Sequence, residues 1–216
     1  KAVISVENGI GNAMSFIVLV LGFGAMLGKL VSESGAAQRI TSRLVKAFGI
    51  KHIQLALMLT GFIVGVSLFY DVGFFIMIPL VFTVAASTGL PLLYVGLPML
   101  AALSVTHGYL PPHPAPTAIT GMFHADLGLT MVYGIIVAIP AIIISGPLLS
   151  RVLSKIEAKP LKEFVNLKPL EEDEMPGFWV SFFSALLPVL LISISTIAGF
   201  LLPEDNLLRK LVGYIG

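Results

Sequence analysis

The residues best able to do chemistry in this chain fall in two short segments. One is Ser67-Leu68-Phe69-Tyr70-Asp71; the other is Thr106-His107-Gly108-Tyr109-Leu110-Pro111-Pro112-His113-Pro114-Ala115-Pro116-Thr117. Ser67, Tyr70, Thr106 and Thr117 supply hydroxyls, and His107 and His113 can each be donor, acceptor or cation. Asp71 is the candidate proton carrier, because a carboxylate in a dry setting has its pKa raised into a useful range. Its alternative role is a permanently charged cap on the helix that follows. A histidine beside a proline run has an alternative too, hydrogen bonding to carbonyls that the break sets free. The chain has no cysteine, which excludes disulfides, zinc–thiolate sites and cysteine nucleophiles. It has no His-Glu-x-x-His run, and its single Asp and histidines in this region lack ligand spacing, so neither a metal nor a cofactor is expected.

These polar groups sit in unusually apolar surroundings. Apolar residues make up 56% and charged residues 12%, with a mean hydropathy of +0.98. A soluble globular chain averages roughly 45–50% apolar and about 25% charged. One core of this size cannot hide so much apolar surface, so the solvent it requires is a lipid bilayer. The same numbers exclude a disordered chain. A net charge of +1 gives no basic face for nucleic acid. Between His52 and Ser150 the only acids are Asp71 and Asp126, and there is no Lys or Arg. Cations gather in two blocks, Arg39, Arg43, Lys46 and Lys51, then Arg151, Lys155, Lys159, Lys162 and Lys168, which read as cytoplasmic.

The elements that must position the polar segments follow from this pattern, and the fold class is an all-α polytopic membrane protein. Residues 1–52 hold a first transmembrane helix, Gly11 to Val31, with Lys29 and Glu33 one helical turn apart. An amphipathic helix in the headgroup layer follows. Ala37, Ile40, Leu44, Val45 and Phe48 lie on one side of it, with Arg39, Arg43 and Lys46 opposite. Residues 53–90 read as a re-entrant hairpin whose limbs, Ile53 to Val66 and Val72 to Ser87, are short for a crossing and turn inside the bilayer at Ser67–Asp71. Two ordinary spans with Asp71 in an outer loop are the competing arrangement.

Residues 91–150 hold a broken helix and a following crossing, Leu127 to Leu149. Pro91 to Val105 reaches only about 22 Å as a helix before the prolines stop it. Half-helix N-termini at the hairpin tip and after Pro116 are expected to present free N–H groups and a partial positive charge. Residues 151–176 form a cytoplasmic linker whose run Glu171 to Glu174 reads as solvated surface. Residues 177–216 hold a crossing from Phe178 to Leu202, ending outside at Glu204 and Asp205, and the start of another segment. His124 and Asp126 fall at an outer interface and His52 at the surface.

Three segments together resemble the gluconate:proton symporter family. They are Gly22-Phe23-Gly24-Ala25-Met26-Leu27-Gly28 running into Glu33-Ser34-Gly35-Ala36-Ala37, then Phe69-Tyr70-Asp71-Val72-Gly73-Phe74-Phe75, and above all His107-Gly108-Tyr109-Leu110-Pro111-Pro112-His113-Pro114. The resemblance implies a secondary active transporter of the bacterial inner membrane, not an enzyme. It implies proton-coupled uptake of gluconate or a related sugar acid; carbonyls exposed at the breaks make sodium the alternative coupling ion, and a homodimer is a candidate assembly. It also implies two inverted halves, each with a re-entrant hairpin and a broken helix, of which this chain is about one half. The substrate-binding set is then Ser67, Tyr70, Asp71, Thr106, His107, Gly108, Pro112, His113 and Thr117, with Asp71 coupling the proton. A carrier of another small hydroxylated solute such as D-serine, and an intramembrane enzyme, are the rival readings.

Overall fold

A computed structural model describes residues 2–158, 170–203 and 205–215; Lys159, Lys162, Lys168 and Glu204 lie outside them. Ten α-helices are described. They are α1 (Ala2–Glu33), α2 (Ala36–Phe48), α3 (Ile53–Ser67), α4 (Tyr70–Thr88), α5 (Leu92–Tyr109), α6 (Pro114–Met122), α7 (Leu127–Ile143), α8 (Leu149–Leu153), α9 (Phe178–Leu201) and α10 (Leu207–Ile215). Among the described residues five helical runs are long and apolar enough to cross a membrane: Ile50–Ser67, Tyr70–Thr88, Leu92–Met122, Leu127–Leu153 and Phe178–Leu201. The chain is therefore an all-α polytopic membrane protein. The two hairpin limbs are longer than the sequence suggests, since a 3-10 turn at Ile50–His52 leads into α3 and α4 runs for 19 residues.

The breaks are also tighter. Only Leu68 and Phe69 leave the helical conformation between α3 and α4, so Tyr70 and Asp71 belong to the first turn of α4. Helix α4 ends on Gly89, whose φ of 69° is open to glycine at little cost and lets its N–H reach back to Ala85. Helix α5 does not stop at Val105 but continues through His107 to Tyr109. The constraint that ends it is Pro111, which drives the preceding Leu110 into extended backbone. The interruption is thus Leu110–His113, with a cis Pro111–Pro112 bond. Helix α6 begins at Pro114 and not after Pro116, because a proline at the first helical position needs no N–H. Asp126 caps α7, accepting the Leu129 N–H at 2.7 Å. A π-helical turn at Ile144–Leu148, around Pro147, joins α7 to α8.

Helix α5 is the spine. Gln54 donates to the Tyr94 carbonyl at 3.0 Å, Gly61 faces Met99, and Gly65 faces Leu103 and Thr106, so α3 runs parallel to α5. Gly73 against Leu103 and Gly96 against Val81 make α4 antiparallel to it. Gly134 against Leu110 and Gly146 against Pro98 do the same for α7. Hence α3 and α4 diverge from their shared tip and grip α5 more than each other. Within lipid, small residues that admit close backbone approach are the main packing device. Leu57, Val64, Leu68, Met77, Val95, Met99 and Leu103 fill the resulting core, each fully buried. At the end carrying the basic loops, Gln54 also reaches the Ser150 hydroxyl at 2.7 Å, fastening α3 to α8.

Helix α2 forms over Ala36–Phe48, where the amphipathic pattern lies. Its apolar face, with Ala37 and Ile40 fully buried, packs on α3, α4 and α9. Arg39 is buried as well, not splayed opposite that face. Its guanidinium donates to the carbonyls of Pro176 at 2.9 Å, Met175 at 3.2 Å, and Glu172. The acidic run Glu171 to Glu174 is exposed, as expected, and from it Glu172 pairs its carboxylate with Lys46 at 2.9 Å. The Lys46 hydrogen bond holds the Glu172 carboxyl below the usual carboxylate range. Lys29 and Glu33 do meet, at 3.5 Å.

Candidate functional site

The α3–α4 tip and the α5–α6 break meet. A helix leaves its last four carbonyls without intrahelical partners, and Gly65 lies in that turn of α3. The His113 ring closes one of them, its Nε2 lying 2.7 Å from the Gly65 oxygen. A carbonyl only accepts, so Nε2 carries the proton in this contact. His113 is buried, and its ring centroid is 4.6 Å from that of His107. Phe69 from the tip stands edge-on to His107 at 6.1 Å and tilted to His113 at 6.4 Å. Tyr70 stacks on Phe74 at 5.9 Å and approaches His107 at 6.5 Å.

Beside this cluster, α1, the tip, α6, α9 and Leu127 of α7 border an open cavity of about 710 Å³. Ser67, Pro112, His113 and Thr117 contribute to its lining. Among the described residues two buried polar atoms lack a partner, Thr117 Oγ1 in the cavity wall and His107 Nδ1 in the neighbouring ring cluster. An unsatisfied buried donor or acceptor costs about 1–3 kcal/mol, so such atoms call for an explanation.

The other candidates divide. The Ser67 hydroxyl donates to the Ala185 carbonyl of α9, and the Thr106 hydroxyl bonds back to Leu103 at 2.9 Å and Ala102 at 3.0 Å. Thr106 is fully buried against Gly65 and serves packing in this arrangement. Gly108 is exposed, with open space where a side chain would go. Asp71 is exposed on the first turn of α4, not enclosed, though within electrostatic reach of the His107 ring. His52 and His124 are exposed as expected. Among the described residues no three His, Asp or Glu side chains converge as a metal site.

Helix termini are altered by the prolines. Pro114 and Pro116 carry no N–H, and the Thr117 N–H bonds the His113 carbonyl at 3.0 Å. Of the first turn of α6 only Ala115 keeps a free amide, so this terminus is poorer in donors than the sequence suggests. Sequence reasoning also missed the partners of the tip. Gly28 lets Leu68 and the Ser67 carbonyl approach, each 3.3 Å from where a Cβ would stand, and Gly24 does the same for Phe69. The signal was the glycine spacing in α1, which composition alone left ambiguous.

A family model for GntP family permeases matches residues 1–216, the whole chain. The high-affinity gluconate transporter of Escherichia coli is 51% identical over 100% of this chain and 49% of its own length. The Gnt-II system L-idonate transporter of the same organism is 50% identical over 98% of this chain and 48% of its own. A gluconate permease of Bacillus subtilis is 43% identical over 99% and 48%. The chain thus spans about half the length of the curated relatives it matches. No solved structure matches it. With five membrane-length apolar helices and a match along its whole length, the chain belongs to the GntP permease family.

Proposed function

We propose that the full-length protein carries gluconate or a related sugar acid across the membrane together with a proton. The observation that carries this reading is the convergence of tip and break on a cavity lined by His113 and Thr117, whose Oγ1 is unpartnered among the described residues, with the likewise unpartnered Nδ1 of His107 on the ring next to His113. A polyhydroxy acid offers donors and acceptors to both, and the relatives named for gluconate and L-idonate support that substrate class. His107, His113 and Thr117 contact the substrate; Ser67, Tyr70, Pro112 and Gly108 shape its surroundings, and Thr106 holds the tip against α5.

Proton coupling has a local rationale. The first helical bond of α4 runs from the Gly73 N–H to the Phe69 carbonyl at 2.9 Å, so the amides of Tyr70, Asp71 and Val72 precede it. That terminus attracts an anion, but Asp71 sits in the same turn and repels one. A proton on Asp71 removes the repulsion, so anion and proton bind as a unit. The tip is re-entrant in this reading. The break at its level has the nine residues of α6, roughly 13 Å of helix, still beyond it.

The test is uptake by the full-length protein in proteoliposomes, comparing gluconate with D-serine under imposed proton and sodium gradients. Proton-driven accumulation of gluconate is expected. Accumulation of D-serine alone, or dependence on sodium alone, overturns the respective half of the proposal.

A further inference from the structure

A second cavity, of about 440 Å³, lies at the end of the bundle opposite the basic loops, between the start of α7, the last turns of α9, and α10. Its volume falls in the range of small-molecule sites, about 300–1,000 Å³. Unlike the first cavity it has a cation in its wall, Arg209, together with the acceptor Asp126 and the hydroxyl-bearing Ser195 and Thr196. One arm of the Arg209 guanidinium donates to the Leu202 carbonyl at 2.9 Å, which fixes the fork. Arg209 makes no ion pair among the described residues. The charge of Asp126 is offset where it caps α7, and its Oδ1 is held by the Leu129 N–H. Leu127 and Ile192 line both cavities, so these two side chains are the partition between them.

We propose that this second cavity is an antechamber in which Arg209 captures the carboxylate of the sugar acid before it passes Leu127 and Ile192 into the main cavity. The inference rests on the sugar-acid reading above and deepens it. The chemistry of the wall matches such a solute: a planar fork for the carboxylate, and a carboxylate and hydroxyls for its hydroxyl groups. The placement of the cation points the same way. The positive-inside tendency depletes Lys and Arg from this end, and among the described residues Arg209 and Lys210 are the cations there. A cation retained against that tendency and turned into a cavity is suited to collecting anions.

The experiment uses the reconstituted full-length protein and measures initial gluconate uptake at a fixed inward proton gradient, in wild type, Arg209→Gln and Arg209→Lys. Arg209→Gln is expected to raise KM about tenfold with Vmax retained, and Arg209→Lys to recover most of the affinity. Ser195→Ala, which leaves the Arg209–Leu202 bond in place, is expected to raise KM about threefold and carries the test if Arg209→Gln does not reach the membrane. An unchanged KM in these variants overturns the antechamber. So does an Arg209→Lys defect as large as that of Arg209→Gln and confined to Vmax, which marks a structural role at Leu202. Wild-type protein that takes up no gluconate overturns the sugar-acid reading itself, an outcome distinct from a transporting wild type indifferent to Arg209.

Discussion

His113 from the α5–α6 break places its Nε2 atom 2.7 Å from the carbonyl oxygen of Gly65 in the last turn of α3. One hydrogen bond therefore ties the two irregular segments of the chain together across 48 residues of sequence. Replacing His113 by Ala leaves that carbonyl buried and unpaired, a loss of about 1–3 kcal/mol. A lower thermal unfolding temperature in detergent is expected, with weaker apparent affinity for gluconate. Unaltered affinity would show that the ring serves the backbone alone.

Thr117 should behave in the opposite way. Its hydroxyl is buried and has no partner among the described residues, so Thr117→Val removes an unsatisfied group of nearly the same shape. Stability is expected to hold or to rise by about 1 kcal/mol, while KM rises up to about tenfold. Denaturation and uptake measured on one preparation separate the two effects. A variant that loses stability and keeps its KM would contradict the substrate-contact role.

Two glycines near the site make a controlled pair. A Cβ on Gly65 would meet the Thr106 hydroxyl and stand 3.2 Å from the Leu103 Cα, so Gly65→Ala must push α3 off α5. Overpacking of this kind costs about 1–3 kcal/mol. Gly108 has open space around it, and Gly108→Ala gains helix propensity worth up to about 1 kcal/mol. Unfolding midpoints should move in opposite directions.

The clasp between α2 and residues 172–176 has a strong part and a weak part. Arg39→Ala strands carbonyls that a buried guanidinium now satisfies, and a loss of about 2–4 kcal/mol is expected. Glu172 is exposed, and its Lys46 hydrogen bond holds its carboxyl below the ordinary value. A depressed folded-state pKa contributes stability that is complete above the unfolded value and lost as pH falls through the folded one. Proteolysis near residue 172 should therefore stay slow at neutral pH and accelerate in acid below about 4.5, the ordinary glutamate value. Glu172→Gln should remove that acid dependence, and Arg39→Ala should leave it.

Asp71→Asn is predicted to mimic the protonated carboxyl. Gluconate counterflow should persist, and accumulation driven by a proton gradient should disappear. Accumulation at the wild-type level would exclude Asp71 as the coupling group.

Much of this molecule is written locally and could be read locally. The absence of Lys and Arg between His52 and Ser150, set against helix-length apolar runs, determines a polytopic helical membrane protein, because in hydrocarbon an unpaired backbone group is too costly for other spanning folds. The break in the proline–histidine segment was legible because proline acts on its own residue and the one before it, and the one within Ser67–Asp71 because the apolar limbs on either side are short for a crossing. Their limits were not. How far α5 runs past Val105 depends on Pro111 alone and not on the density of prolines nearby. The burial of Arg39 also escaped the helical wheel, because its partners are carbonyls more than 130 residues away.

The sequence by itself determined the solvent this protein lives in, the helical fold class, and which few polar residues stand out from it. Tertiary structure alone decided that His113 bonds Gly65, that Ser67 spends its hydroxyl on Ala185, that Thr117 finds no partner among the described residues, and that Arg209 shares a cavity with Asp126. The physical reason is that helix propensity and membrane partition act on neighbours along the chain. The pairing of a carbonyl or hydroxyl depends instead on which distant segment packing brings within about 3 Å of it.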